Sequence, residues 1–514
     1  MVSSMSRKRQ SDPGPTTSAA HAAASVAWNY AGYACQIAFN LGLTWYIVRK
    51  ITVVEYGLFL FIMSLSATLY LLDMGISSVL VQAYVEAASV AGKDRVNELL
   101  GASFVALGAL SAIGAFIFCG LALFLPGPFK IPAPYLHEAS LVFIVAAVIL
   151  LVGLPTIAVE QVYQASHRFD RLNQVQLVTA SFLVALSILV LAAGYGIVAL
   201  AVVQLVVSCI RLIALIALLP ASVPGARLNP ARFNCSVLKP LLHLSKWAFL
   251  SHLSASLFDM LVWLILGSLS SMREVALFGL AGKPTKQLWN FVDRGANVTL
   301  PLLSKAAAEG DSARLRQTYL GTEKLVLGAV LPFIILGFVF ARPFIVVWAG
   351  SQYAGAALIM RWLLLAALAQ TLAYPSDLVL YACGEVKQAT KISAWSSAIS
   401  ILAALLLVTR YGAAGLAAGM AAAQIVFNCG WFAWAACRVS GASPAALLRS
   451  SCEGLLWPLV ALAAEIGIAR GFWSHLSALG LVLFAIAAGL VYLAFWGLRT
   501  VLPLYRGYAE VVAQ

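Results

Sequence analysis

LFGLAGKPTKQLWNFVDRGANVTLPL, residues 277–302, carries a stripe of seven charged or amide side chains inside a hydrophobic segment. They are Lys283, Lys286, Gln287, Asn290, Asp293, Arg294 and Asn297. At 100° per residue all seven fall within an arc of roughly 120°, with Leu288, Trp289 and Val292 on the opposite side. Such a helix shows one face to lipid or packed neighbours and the other to a hydrated cavity. A cation at the bilayer centre costs about 2.5–3.5 kcal/mol, so three together require a reason. Passage of an anion through the membrane is one. Pro284 stands where it can break the helix and free backbone groups toward a cavity, or simply kink it for packing.

The rest of the chain supports a membrane setting. Of its 514 residues, 62% are hydrophobic and 10% charged, and mean hydropathy is +0.92. Soluble domains carry about 25% charged residues, so this composition is that of a polytopic membrane protein. The net charge of +13 does not indicate nucleic acid, because no long polar segment exists to carry a basic surface. The eight cysteines are scattered through apolar segments, form no CxxC pair, and read as small packing residues. The basic, then Pro/Ser/Thr-rich N-terminus leads into a segment too long for a signal peptide, which reads as a retained first span.

Apolar stretches of spanning length fall at about 22–48, 57–82, 99–125, 138–160, 175–193 and 197–219. Six more fall at about 246–268, 275–301, 323–347, 357–380, 391–409 and 415–437, and two at about 453–469 and 476–497. The expected fold is therefore all-α with about fourteen transmembrane helices. With the N-terminus inside, 22 of the 33 Lys and Arg residues fall on inner segments and 8 on outer turns. The remaining three are the cations of the stripe. This asymmetry predicts that both termini are cytoplasmic.

Pieces of the first half recur about 218 residues later. Glu55-Tyr56-Gly57-Leu58-Phe59 returns as Glu274-Val275-Ala276-Leu277-Phe278, and Asp73-Met74-Gly75 as Asp293-Arg294-Gly295. Leu107-Gly108-Ala109 matches Leu327-Gly328-Ala329, and Tyr195-Gly196 matches Tyr411-Gly412. Two six-helix bundles with the same topology follow, related by an axis along the membrane normal, with the substrate site expected between them. The expected organisation is a disordered tail over 1–21, bundles over 22–220 and 246–438, and a basic linker over 221–245. Two further helices occupy 453–498, followed by a tail over 499–514. The first copy has Met63, Ser66 and Met74 where the second has Lys283, Lys286 and Arg294. The fold therefore does not need those cations, whereas Asp73 and Asp293, each two residues before a glycine, read as structural.

Val54-Glu55-Tyr56-Gly57-Leu58-Phe59, followed by Leu72-Asp73-Met74-Gly75-Ile76, resembles the opening of Wzx-type polysaccharide flippases. These belong to the multidrug/oligosaccharidyl-lipid/polysaccharide exporter superfamily. Ala307-Ala308-Glu309-Gly310-Asp311 with Arg314-Leu315-Arg316 is similar to the loop after that family's eighth helix. Asp259 followed by Leu266-Gly267 is similar to its seventh. The resemblance covers roughly residues 25–500; where the family often has arginine after the second-helix Asp-x-Gly, this chain has Gln82. It implies export of a lipid-linked sugar repeat unit across a bacterial inner membrane, for exopolysaccharide, capsule or O-antigen. The implied partners are that lipid-linked oligosaccharide and the polymerase and chain-length machinery.

Lys283, Lys286 and Arg294 are the candidates for capturing a pyrophosphate head group, with Gln287 and Asn290 beside them. Alternatively, Arg294 snorkels to the surface and pairs with Asp293. Asp259, with His252 on its face, is the candidate for H⁺ or Na⁺ coupling, or for a salt bridge to one of the lysines. Asn29, Gln36 and Asn40 share a face of the first span, suited to sugar hydroxyls or to helix packing. Glu160, Asp377 and Glu465 sit near helix ends and read as solvated or paired. No cofactor is expected. A drug/cation antiporter of the same superfamily fits less well, because cationic cargo would meet two lysines. A membrane polymerase or ligase fits poorly too, since outer loops are short and no nucleophile–base pair or metal cluster is apparent.

Overall fold

In lipid, every backbone N–H and C=O must be satisfied within the chain, and a continuous helix does this segment by segment. The computed structural model is built accordingly. It describes residues 36–229 and 257–497, except positions 74, 91, 125–128, 297–298, 454, 456–458, 461 and 468–477. No strand occurs among the described residues. The first half comprises α1 (residues 36–50), α2 (Val53–Thr68), α3 (Ile76–Val90), α4 (Gly92–Phe124), α5 (Leu136–Ala165), α6 (Phe169–Ala192) and α7 (Ile197–Ser222).

The second half begins with α8 (Leu257–Leu269) and α9 (Met272–Ala296). It continues with α10 (Leu300–Ala308), α11 (Ser312–Val339), α12 (Ala341–Ala349), α13 (Ala356–Ala382) and α14 (Val386–Gln424). A π-helical segment, Ile425–Phe432, leads into α15 (Ala433–Ser440) and α16 (Pro444–Glu453). Residues 462–467 form α17, and α18 spans Ala478–Trp496. Corresponding helices start at 53 and 272, 92 and 312, 136 and 356, and 169 and 386. The offsets of 219, 220, 220 and 217 are those of a like-oriented repeat. Among the described residues, seven helices are long and apolar enough to cross a membrane by themselves. Large apolar side chains such as Phe116, Leu189 and Leu406 are exposed on α4, α6 and α14, as suits a lipid-facing belt.

Two expected spans differ in detail. The stretch at 57–82 is not one helix. α2 gives way to a 3₁₀ turn over Leu69–Asp73, and the chain restarts as α3. Asp73 makes the restart: its carboxylate accepts the Gly75 N–H at 2.8 Å and the Ser77 hydroxyl, capping α3. The stretch at 323–347 likewise ends at Val339. α12 is a separate short helix whose third residue, Pro343, lacks the N–H that a continuous helix would use.

The repeated glutamates both open helices, with different partners. Glu55 closes a capping box with Thr52 at the start of α2. Glu274, in the first turn of α9, reaches the second half's own hairpin and accepts the Ala413 N–H at 2.9 Å. That hairpin turns at Gly412, whose φ of 57° lies in the left-handed region, so α14 is two helices meeting there. Glu274→Ala should therefore cost about 1–2 kcal/mol in thermal unfolding of the purified protein, the worth of one buried capping contact. Glu274→Gln, which keeps an acceptor oxygen, should recover most of it. Equal stability of the alanine and wild-type proteins would show that the bond does not hold the hairpin.

The halves meet mainly at one end. Trp348 Nε1 donates to Leu41 O at 2.9 Å, an Arg49 guanidinium nitrogen to Val347 O at 3.0 Å, and Gln352 Nε2 to Val48 O at 3.2 Å. Lys130 donates its side chain to Leu269 O at 2.9 Å and its backbone N–H to Gly267 O at 3.1 Å. Tyr56 packs edge-on against Tyr353, with ring centroids 6.1 Å apart. A shared core of Tyr56, Phe61, Leu266, Val275 and Ile345 lies beneath these contacts. At the other end, α3, α4, α5 and α7 pack around a core of their own, and α13 to α15 around another. The joined end is the one that lysine and arginine placement predicts to face outward.

Candidate functional site

α9 lies between α2 of the first half and α13 of the second. The strip of its surface left uncovered borders a cavity of about 710 Å³. Gly279, Gly282, Lys283, Thr285, Lys286 and Trp289 lie on this border, at the three- and four-residue spacing of one helical face. The open face is thus turned from the centre of the polar stripe toward Trp289, because α2 and α13 occupy its flanks. Asp259, Phe258 and Trp263 of α8 form another wall. Gln370, Tyr374 and Asp377 come from α13, and the far wall comes from α14 and the π-helical segment. Leu60 and Ser64 of α2 are the first half's share. Among the described residues, the lining comes mostly from the second half.

Lys286 is exposed to this space, while Lys283 is turned to its roof. Lys283 Nζ donates to Thr44 Oγ1 at 2.6 Å, and Thr44 passes its own proton to Asn40 O at 2.8 Å. The same ammonium lies 5.8 Å from the centroid of the Tyr56 ring, within cation–π range. One lysine thus both borders the cavity and ties α9 to α1. Neither lysine is ion-paired with a described carboxylate. Asp259 borders the same space within electrostatic reach of Lys286. Asp377, expected near a helix end as solvated or paired, also lines the cavity. Glu160 is paired, with Arg211 at 2.6 Å.

The other candidates are placed as follows. Gln287 and Asn290 are half-buried on the flank of α9 and do not border this cavity. Gln36 and Asn40 are exposed on α1, also away from it. Asn29 and His252 lie outside the described residues, as does the side chain of Arg294. Asp293 accepts the Tyr374 hydroxyl, and Tyr374 in turn meets Trp289 edge-on with centroids 5.3 Å apart. Asp293 thereby holds two aromatic wall residues in place.

Sequence reasoning passed over the far wall. Ser393, Ser396, Ser397 and Ser400 recur at helical spacing along α14, and Gln424 and Asn428 follow across the hairpin. The serine spacing was the available signal, but a serine stripe in a membrane helix equally suits helix packing. Ser400 and Gln424 are 1% and 6% exposed, yet Ser400 Oγ and Gln424 Oε1 have no hydrogen-bond partner among the described residues. A buried polar group left unpaired costs about 1–3 kcal/mol, so the wall is built at the expense of stability. The π-helical geometry at Asn428 belongs with this, since such segments cluster at functional sites.

A family model described as polysaccharide biosynthesis protein matches residues 47–358, more than half of the chain. Among solved structures, the lipid II flippase MurJ in an inward closed conformation is 13% identical with a TM-score of 0.70. That likeness covers 90% of this chain and 98% of the other. An inward-facing multidrug resistance transporter of the MATE family, in the MOP superfamily, is 16% identical with a TM-score of 0.68, over 79% of this chain and 95% of its own. An outward-facing structure of a MATE family transporter gives 0.55 at 16% identity, over 80% and 93%. No curated protein sequence matches the chain. The like-oriented helical repeat and the family match lead to one conclusion: the chain belongs to the polysaccharide biosynthesis protein family and is a multi-pass membrane protein with the fold that the MurJ flippase and MATE transporters share.

Proposed function

We propose that the protein carries a polyprenyl-pyrophosphate-linked oligosaccharide from the inner to the outer leaflet of a bacterial inner membrane by alternating access. The observation that supports this best is the pair of lysines bordering one cavity, neither in a salt bridge with a described carboxylate, beneath an end where the two halves are clamped shut. Lining residues run from Gly279, under the clamp, to Asp377, Ser393 and Phe432, near helix ends expected to be cytoplasmic. A cavity lying beneath the outer contact and bordered by residues near the expected cytoplasmic helix ends suits loading from the inner leaflet. Two ammonium groups suit a pyrophosphate, which offers each of them several acceptor oxygens. Asp259 and Asp377 are then the groups to hold the coupling H⁺ or Na⁺.

Those two carboxylates also favour a second reading, a cation-coupled small-molecule antiporter. Reconstitution separates the two. In proteoliposomes bearing a fluorescent polyprenyl-pyrophosphate disaccharide, the protein should raise the fraction bleached by a membrane-impermeant reductant from about half to nearly all. Gradient-driven accumulation of a cationic dye, with no lipid flipping, would overturn the flippase reading in favour of the antiporter.

A further inference from the structure

We propose that Ser393, Ser396, Ser397, Ser400, Gln424 and Asn428 form the subsite that receives the neutral hydroxyl groups of a saccharide, apart from the lysines that face its charged end. This deepens the flippase reading and rests on it. The six side chains line one wall of the cavity, and none hydrogen-bonds to another described residue. Several helical Ser and Thr elsewhere, such as Ser208, Ser268, Thr371 and Ser440, instead return their hydroxyl protons to a carbonyl one turn back at 2.6–2.8 Å. The cavity wall keeps its donors and acceptors unused.

Four of the six are more than nine-tenths buried: Ser396, Ser400, Gln424 and Asn428. They sit at the back of the wall, where the π-helical segment turns Asn428 into the cavity lining. A ligand that satisfies such groups must itself both donate and accept hydrogen bonds. A sugar hydroxyl does both, and serine hydroxyls and carboxamides complement it. Acyl chains offer neither, and a phosphate offers acceptors alone. Trp289 and Tyr374 line the same space, and their apolar ring faces suit the C–H face of a pyranose. The charged and neutral parts of one amphiphile thus find separate partners: the lysines of α9 for the anion, α14 and the π-helical segment for the sugar hydroxyls.

The test titrates purified full-length protein by tryptophan fluorescence, since Trp263 and Trp289 line the cavity. One probe is a polyprenyl pyrophosphate bearing a neutral glucose–galactose disaccharide; the other is the same lipid without sugar. Wild type should bind the sugar-bearing lipid about tenfold more tightly. In the Ser397→Ala/Gln424→Leu double variant that ratio should fall to near one, with affinity for the sugar-free lipid unchanged. Both replacements remove unpartnered polar groups, so thermal stability should hold; should the double variant misfold, Ser397→Ala alone should still lower the ratio. A wild-type ratio of one, or a ratio the variants leave intact, overturns the subsite. So does stabilisation by Na⁺ or K⁺ that the variants abolish while the ratio stays, because the wall would then hold a cation. The lysine assignment fails separately: it is wrong if Lys286→Ala leaves affinity for the sugar-free lipid unchanged.

Discussion

Lys283→Ala combined with Lys286→Ala should abolish polymer export while membrane abundance stays at or above wild type. A charge-assisted hydrogen bond is worth about 1.5–3 kcal/mol, so losing two should lower affinity for a pyrophosphate by roughly 10²–10⁴-fold. Membrane insertion should not suffer, because each cation adds about 2.5–3.5 kcal/mol to the cost of placing its helix in the bilayer. The first half also shows that the fold manages without them, with Met63 and Ser66 at the corresponding positions.

The two single variants should differ. Lys286 is exposed to the cavity, so Lys286→Ala should weaken lipid binding and little else. Lys283 also holds Thr44, so Lys283→Ala should in addition loosen the outer contact between α1 and α9. Surface polymer, measured beside protein abundance in a strain lacking the native gene, reads both effects. Normal export by the double variant would remove the anion-capture mechanism.

Gly57→Ala is the second large expected effect. An alanine here would ordinarily stabilise α2, since glycine inside a helix is worse by roughly 0.5–1 kcal/mol. In this fold the added methyl would overlap the Met272 carbonyl oxygen and come within 2.8 Å of its carbon. Those are backbone atoms, so no rotamer change makes room; α2 and α9 must move apart. They cross in the core that joins the halves, among Tyr56, Val275 and Ala276, each no more than 1% exposed. Overpacking of this kind costs about 1–3 kcal/mol or more.

The outer closure should therefore weaken, with a lower unfolding temperature and faster hydrogen exchange in α1 and α2. Gly120→Ala, at a helical glycine with nothing within 4 Å, is the control and should be neutral or mildly stabilising. If Gly57→Ala behaves like that control, the α2–α9 crossing is not what seals the outer side.

Gly57 also shows how far the sequence reaches. Its place in the Glu-Tyr-Gly-Leu-Phe motif is plain in one dimension and carried the family resemblance, but the carbonyl it lies against is 215 positions away. Asp73 and Asp293 form a matched pair on the same terms. Both read as structural from the repeat, yet one caps α3 and the other holds Tyr374. Repetition conveys that a residue is kept in both halves, not which neighbour it meets.

Composition, span length, lysine and arginine placement and the internal repeat determined, from the sequence alone, an all-α membrane protein with two like-oriented halves. These follow from the price of exposing polar groups to lipid, which each segment meets alone. Helical periodicity also put Lys283 and Lys286 on one face. Only the tertiary structure decided which arc of that face stays open, that Lys283 is tied to Thr44, and that a serine and amide wall faces the lysines across the cavity. The reason is physical: in a bilayer an apolar face can meet lipid or protein equally well. A helix's sequence therefore sets which side chains travel together, while its rotation against its neighbours is set by packing among helices far apart in the chain.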